Sequence, residues 1–305
     1  MDNSLVIFDL DGTLIDTIGD LSAAVEYALS EGGFPGHSVE EYRAMVGHGI
    51  RNLVTRALPE GASDEVIELS LSRFLEYYTS HIDVLSRPYP GIQDLLRELS
   101  DSDVKLAVTS NKFQAGTETL IRRFFPDIPF AKILGNAPGL PLKPDPEVVR
   151  LALEAAGFDA ARLDSASLRF APYPGKWSSE STLPHSSSSA AAGCATGHRP
   201  YSAAASPERS RRAKREWTRP RSGGEPASVE ALPPHDSERY SGGFVVLVGD
   251  SATDIRTARN AGIGVIGVSW GFRPKADLME ADVVVDTVDQ LREVLLREID
   301  HLNTD

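Results

Sequence analysis

Short runs of apolar residues alternate with helical patterns over most of the chain. The first run, Leu5–Phe8, is uniformly apolar and predicts a strand that is buried on both faces. Further runs predict strands at Val104–Thr109, near Lys132–Gly135, and at Phe244–Gly249, Ile263–Val268 and Val283–Val285. Strands that alternate with helices form parallel sheets with right-handed crossovers. The pattern therefore predicts an α/β fold built on a parallel sheet.

Between the first two strands, residues 16–86 show helical periodicity only. Apolar positions recur at helical spacing from Leu21 onwards, and Ser38 with Glu41 has the spacing of a capping box. We expect an inserted all-helical segment here, called the cap segment below (residues 16–86). The stiff stretch Arg87–Gly91, which contains two prolines, is expected to return the chain to the sheet.

A long stretch near the middle of the chain has a different composition. Residues 163–243 are rich in Ser, Ala, Pro, Gly and Arg and carry little periodic apolar pattern. Such a segment cannot bury enough apolar surface to offset its ordering entropy, so we expect a disordered low-complexity insert. The predicted core then comprises residues 1–15, 87–162 and 244–305.

Composition and charge argue against a membrane protein, a disulfide-bonded protein and a nucleic-acid-binding protein. No apolar run is long enough to span a membrane, and because the chain enters a strand at once we expect no signal sequence. Cys194 is the single cysteine, which excludes an intrachain disulfide, so we expect a cytoplasmic protein without membrane contact. The net charge of −13 makes nucleic acid an unlikely partner. The oligomeric state is left open.

Polar side chains follow three of the predicted strands. They are Asp9 and Asp11, Ser110 and Asn111, and Asp250 with Asp254, while Lys143 lies in a loop. The carboxyl ends of parallel strands meet at one edge of a sheet, where α/β proteins bind ligands. Several carboxylates brought together require a cation, and oxygen-only ligands favour Mg²⁺. We therefore expect a magnesium site.

Four sequence motifs carry a resemblance to a known family. They are Phe8-Asp9-Leu10-Asp11-Gly12-Thr13, Val108-Thr109-Ser110-Asn111, Lys143-Pro144 and Gly249-Asp250-Ser251-Ala252-Thr253-Asp254. In this order they resemble the motifs of the haloacid dehalogenase superfamily, which implies a Rossmann-like core. The cap segment, with Gly47-His48-Gly49, is similar to that of the phosphoglycolate phosphatases.

The resemblance implies a mechanism. Asp9 is expected to attack phosphorus and form an aspartyl-phosphate, while Asp11 serves as acid and then base. Mg²⁺ is expected at Asp9, the Asp11 carbonyl, Asp250 and Asp254. The resemblance assigns the remaining phosphate oxygens to Ser110, the Asn111 amide and Lys143. The implied reaction is hydrolysis of 2-phosphoglycolate to glycolate and phosphate.

Other functions fit the same sequence features. Another small phosphoester, a pyrophosphate or a sugar-phosphate mutase reaction fits the same core. A non-catalytic binding protein that uses the insert is a different class. Within the cap segment, His48 and Arg51 are competing candidates for contact with the substrate.

Overall fold

Six strands form one sheet in the computed structural model, which describes residues 4–158 and 244–303. They are β1 (Leu5–Phe8), β4 (Lys105–Phe113), β5 (Phe130–Asn136), β6 (Val245–Gly249), β7 (Gly264–Val268) and β8 (Val283–Val285). Their order is β5-β4-β1-β6-β7-β8, and every neighbouring pair is parallel. The predicted parallel α/β sheet is confirmed, and β1 lies at its centre.

Alternate residues of β1 enter two different apolar cores. Val6 and Phe8 belong to the core on one face of the sheet, and Leu5 and Ile7 to the core on the other. The first face is covered by α5 (Ile92–Asp101), α6 (Gln114–Phe124) and α9 (Val288–Asn303), and the second by α7 (Glu147–Ala155) and α8 (Ala252–Ala261). Burial on both faces explains why this strand is apolar at every position.

The cap segment consists of four helices. They are α1 (Ile18–Gly32), α2 (Val39–Met45), α3 (Ile50–Ala57) and α4 (Asp64–His81). Ser38 and Glu41 form the predicted capping box at the start of α2. At the start of α1, the buried Asp20 carboxylate accepts hydrogen bonds from the far end of the segment. The donors are the backbone N–H groups of Leu85 and Ser86, at 2.8 and 2.7 Å, and the Ser86 hydroxyl. The division into core and cap segment stays our interpretation.

Two features differ from the sequence pattern. A two-stranded antiparallel ribbon of β2 (Ile15–Asp16) and β3 (Arg87–Pro88) closes the ends of the cap segment, and two residues are too few to leave a periodic signal. Strand β4 was expected to end at Thr109 but continues to Phe113, with an irregular register after Thr109. The predicted disordered insert lies outside the described residues. No helix in the described part of the chain is long and apolar enough to cross a membrane.

Candidate active site

A pocket lies at the carboxyl ends of β1, β4 and β6, between the core and the cap segment. It contains about 600 Å³ of empty space, part of it open to solvent. Its polar lining includes every core residue that the sequence singled out except Asp254: Asp9, Asp11, Ser110, Asn111, Lys143 and Asp250. The cap segment contributes Leu21, Val46, Gly47, Gly49, Ile50 and Leu53.

Lys143 joins two of the carboxylates. Its ammonium donates to Asp9 Oδ1 at 2.7 Å, to Asp254 Oδ1 at 2.6 Å and to the Thr109 carbonyl at 2.9 Å. Only 4% of the Lys143 side chain is exposed, so these bonds replace its hydration. The loop lysine and the three strand ends therefore meet in one buried cluster, as the sheet topology predicts.

Asp250 is held by the segment that follows β7, and Asp254 by the turn that follows β6. Asp250 Oδ2 accepts from the Phe272 backbone N–H at 2.6 Å. Asp254 Oδ2 accepts from the backbone N–H and the hydroxyl of Ser251, which completes a capping box at the start of α8. Glycine is required beside Asp250, because a Cβ on Gly12 would lie 2.3 Å from Asp250 Oδ2.

The cluster holds more negative than positive charge. Burial raises the pKa of Asp9 well above its ordinary value, and Asp254 and Asp250 add to the effect of burial against the opposing Lys143. Burial likewise raises the pKa of Asp250 to about 7. Although burial lowers the pKa of Lys143, the neighbouring carboxylates outweigh that effect and raise it, so the ammonium stays charged. One ammonium cannot neutralise three buried carboxylates, and a divalent cation would complete the balance.

The arrangement of oxygen atoms fits such a cation. Ligand atoms of Asp9, Asp250 and Asp254 all lie within 4.8 Å of one another. Among the residues that the structure describes, Asp9 Oδ2 and Asp250 Oδ1 accept no hydrogen bond. Hard oxygen donors with no His or Cys among them are typical of a Mg²⁺ site. The carboxylates of Asp9, Asp250 and Asp254 are therefore compatible with the ion, and the Asp11 carbonyl stays a prediction.

Asn111 fastens the Lys143 loop to the core. Its Oδ1 accepts from the Lys143 backbone N–H at 2.8 Å, and its Nδ2 donates to the Lys143 carbonyl at 3.2 Å and to the Gly47 carbonyl at 3.1 Å. Ser110 Oγ accepts from the Lys112 backbone N–H at 3.2 Å and faces the pocket. The Asn111 side chain thus orients the loop that carries Lys143.

Asp11 has partners that the sequence analysis missed. Its Oδ1 accepts from Thr17 Oγ1 at 2.7 Å and from Lys112 Nζ at 3.1 Å. Lys112 Nζ also donates to the hydroxyl of Tyr78, in α4, at 2.5 Å. Tyr78 is one of the buried residues of α4, and nothing local in the sequence pairs it with Lys112.

The two cap-segment candidates lie in different surroundings. Neither His48 nor Arg51 lines the pocket, and the Arg51 guanidinium forms an exposed ion pair with Glu68. His48 is exposed between the pocket-lining Gly47 and Gly49. Partial burial of its ring lowers the pKa of His48, and the nearby cations of Arg273, Arg56 and Arg256 lower it further.

Arg273 is a pocket residue that the sequence analysis did not single out. It follows β7 in the core, and its Nη1 donates to the Ala44 carbonyl at 2.9 Å. Arg56 Nη1 donates to the same carbonyl at 3.1 Å, and Arg273 Nη2 contacts the Val46 carbonyl. Carbonyls at the end of α2 attract both cations. His48 therefore lies beside a concentration of positive charge in a chain whose net charge is −13.

Comparison with known proteins gives consistent family matches. The haloacid dehalogenase-like hydrolase family matches residues 6–163, and a HAD-hydrolase-like family matches residues 228–293. Phosphoglycolate phosphatase 1 of Pseudomonas aeruginosa is 36% identical over 161 residues, which cover 51% of this chain and 58% of that protein. The phosphoglycolate phosphatase of Mesorhizobium japonicum is 34% identical over 165 residues, which cover 53% of this chain and 73% of that protein. The chain thus spans little more than half of the Pseudomonas relative.

Solved structures show the same fold. A protein of Lactobacillus delbrueckii subsp. bulgaricus, whose own assignment as a phosphoglycolate phosphatase is provisional, is 25% identical with a TM-score of 0.65. The alignment covers 97% of this chain and 99% of that one. A haloacid dehalogenase-like family protein of Streptococcus pneumoniae is 19% identical with a TM-score of 0.61 and covers 96% and 98% of the two chains, a likeness of fold alone.

Proposed function

Since the chain belongs to the haloacid dehalogenase-like hydrolase family, we propose that it is a Mg²⁺-dependent phosphatase of small phosphate monoesters. One observation carries the proposal. The Lys143 ammonium lies between Asp9 and Asp254 in a buried acidic cluster beside a pocket that Asp9, Ser110 and Asn111 line. A cationic side chain beside a partly unsatisfied carboxylate suits the transfer of a dianionic phosphoryl group.

Asp9 is the proposed nucleophile. Its Oδ1 is held by Lys143, while Oδ2 accepts no hydrogen bond from the described residues and is the oxygen available to attack phosphorus. Formation of the Asp9 oxygen–phosphorus bond breaks the bond from phosphorus to the ester oxygen, which leaves with a proton from Asp11. In the second step Asp11 takes a proton from water, whose oxygen attacks phosphorus and releases phosphate and free Asp9.

The proposed phosphate contacts are Ser110, the Asn111 amide and Lys143. All three are buried and line the pocket beside Asp9. Asp9, Asp250 and Asp254, with the Asp11 carbonyl, would hold Mg²⁺. The ion supplies positive charge that stabilises the phosphoryl oxygens during transfer.

The positive charge around His48 favours a substrate with a second anionic group. Arg273 lines the pocket, and Arg56 shares the Ala44 carbonyl with it, so the two cations lie close together near the cap segment. The carboxylate of 2-phosphoglycolate would meet this charge, and the names of the two curated relatives point to the same substrate. Pyrophosphate also carries a second anionic group, whereas a sugar phosphate carries only its phosphate, because the sugar itself is uncharged. We therefore propose 2-phosphoglycolate as the substrate.

Phosphate release from a matched set of phosphate compounds tests the proposal. We expect Mg²⁺-dependent turnover that is fastest with 2-phosphoglycolate and slower with 2-hydroxyethyl phosphate, which replaces the carboxylate by a neutral group. Pyrophosphate and glucose 6-phosphate complete the set. Asp9→Asn should abolish turnover while the circular dichroism spectrum stays unchanged. Absence of turnover on every compound of the set, with Mg²⁺ present, would refute the phosphatase proposal and favour a binding protein.

Two substitutions test the origin of the specificity. Arg273→Met should raise the KM for 2-phosphoglycolate by about tenfold, because it removes one charged contact worth about 1.4 kcal/mol, and should leave the KM for 2-hydroxyethyl phosphate unchanged. Arg51→Met should change neither KM, because Arg51 is paired with Glu68 away from the pocket. The reverse result would assign the second anionic group to Arg51 instead.

A further inference from the structure

We propose that Lys112 and the cap-segment residue Tyr78 are positioning residues that hold the Asp11 carboxylate for proton transfer. The inference rests on the proposed phosphatase function and adds residues to its acid–base step. It also links that step to the cap segment, because Tyr78 belongs to α4 and Asp11 to the core.

Lys112 reaches Asp11 because β4 continues past its predicted end. The strand extends to Phe113, and the Lys112 side chain, only 1% exposed, points into the structure. Its Nζ lies 3.1 Å from Asp11 Oδ1 and 3.4 Å from Asp11 Oδ2. Lysine is almost never this deeply buried unless it is paired, so the contact with Asp11 accounts for its burial.

Tyr78 supplies the second partner of the Lys112 ammonium. The tyrosine is completely buried, and its ring packs against Phe74 and Phe113 at centroid distances of 5.1 and 6.1 Å. Burial raises the pKa of the Tyr78 hydroxyl, as do Asp11 and Asp20, so the hydroxyl is neutral and its oxygen accepts from Lys112 at 2.5 Å. The position of α4 therefore fixes where the ammonium lies.

These contacts leave Asp11 Oδ2 with weaker hydrogen bonding than Asp11 Oδ1. Oδ1 accepts hydrogen bonds from Thr17 Oγ1, at 2.7 Å, and from Lys112 Nζ. Oδ2 has only the longer contact with Lys112 Nζ. Asp11 is part of the pocket lining. Two donors on one oxygen fix the carboxylate rotamer and leave Oδ2 to exchange a proton with the leaving group.

A purely structural role explains the arrangement less well. A buried ion pair is often no more stabilising than apolar residues of the same volume, because both charges lose their hydration. Lys112 also lies in the pocket lining, so direct contact with the substrate phosphate is the competing role. A positioning role and a phosphate contact make different predictions for esters that differ in leaving group.

The test compares kcat/KM for an alkyl phosphate and for 4-nitrophenyl phosphate. The nitrophenolate ion leaves without a proton, whereas an alkoxide requires one, so only the alkyl ester depends on correct placement of Asp11. General acid catalysis contributes about 10²- to 10⁴-fold, so Lys112→Met should lower kcat/KM for the alkyl ester by about 30-fold or more and for the aryl ester by less than about threefold. Tyr78→Phe should lower kcat/KM for the alkyl ester by about three- to tenfold and leave the aryl ester almost unaffected, with KM unchanged.

Matched variants control for indirect effects. Tyr77→Phe makes the same change one residue away, where the ring stacks on Tyr27 and His81, and should leave both values unchanged. Lys132→Met removes an exposed lysine of β5 and serves the same purpose. If Lys112→Met does not fold, Tyr78→Phe decides alone, since it keeps the buried ring.

Each outcome decides the proposal. Equal losses on the two esters with an active parent enzyme would show a phosphate contact or a structural role and would overturn the positioning role alone. Unchanged values in Tyr78→Phe and Lys112→Met would overturn it as well. A parent enzyme inactive on both esters would refute the phosphatase function, and the positioning role with it.

Discussion

Lys143 Nζ and Asp9 Oδ1 lie 2.7 Å apart although 134 residues separate them in the sequence. Asp9 follows the central strand, and Lys143 lies in the loop after β5. Their contact is buried and is shared with Asp254. The parallel sheet thus creates a site from positions that are remote in the chain.

Removal of the Lys143 charge should strongly reduce turnover and lower the free energy of unfolding. Lys143→Met leaves Asp9 and Asp254 facing each other without a buried cation. We expect turnover to fall by at least about 10²-fold and the free energy of unfolding to fall by about 3 kcal/mol near neutral pH. Phosphate release and urea unfolding measure the two effects. Lys132→Met, at an exposed position, is the control, and a Lys143→Met protein with parental activity would contradict this role.

Mg²⁺ should stabilise the protein, and more strongly at higher pH. Burial raises the pKa of Asp250 to about 7, so the native state holds a proton that the unfolded state has lost. This contribution to stability is complete below the unfolded pKa of about 4 and is lost as the pH rises to about 7. The metal binds the ionised carboxylates and reverses that loss.

Urea unfolding with and without Mg²⁺ measures this effect. The increment from Mg²⁺ should be larger at about pH 8 than at about pH 5.5, because protons compete with the metal for the carboxylates. Asp250→Asn should reduce the increment at the higher pH. An increment that is absent at the higher pH, or larger at the lower pH, would count against a metal site at this cluster.

Asp20 should stabilise the return of the chain from the cap segment. The carboxylate is 2% exposed and accepts hydrogen bonds from Leu85 and Ser86. Asp20→Ala leaves these buried N–H groups without a partner and should lower the free energy of unfolding by about 3 kcal/mol. Glu31→Ala, at an exposed position of the same helix, should change it by less than about 0.5 kcal/mol. Equal effects of the two substitutions would show that Asp20 has no special role.

Deletion of residues 163–243 should leave the activity intact. The described chain stops at Phe158, after α7, and resumes at Phe244, before β6. In a parallel sheet both points lie at the edge opposite to the carboxyl ends of the strands, where Asp9 and Asp250 lie. Replacement of the insert by a short Gly/Ser linker should keep kcat/KM within about twofold, because both points lie away from the site and closure entropy changes only slowly with the length of a connection. Loss of turnover would show that the insert takes part in function, and an insert of scrambled sequence would then separate composition from specific contacts.

Much of the fold follows from local sequence signals. Leu5–Phe8 is apolar throughout because it is buried on both faces, and a pattern of that kind is visible without a structure. The capping boxes at Ser38 and Ser251 depend on residues three positions apart and are visible for the same reason. The meeting of Asp9, Lys143 and Asp250 follows from one topological rule about strand ends.

The contacts around Asp11 could not be predicted in this way. Lys112 and Tyr78 are 34 residues apart, and Lys112 and Asp11 are 101 apart, so no periodicity relates them. The length of β4 and the placement of α4 decide the contact, and both depend on tertiary packing. The hydrogen bonds from Arg273 to α2 carbonyls are hidden for the same reason, because any carbonyl can accept them.

Chemical trapping on Asp9 is the most direct test of the central claim. The reaction with the preferred ester is quenched in acid during turnover, treated with borohydride to reduce any acyl phosphate, and digested for peptide mass analysis. We predict reduction at Asp9 alone, only when substrate and Mg²⁺ are both present, and none in Asp9→Asn. Modification of another carboxylate, or rapid turnover without any modification of Asp9, would contradict the account.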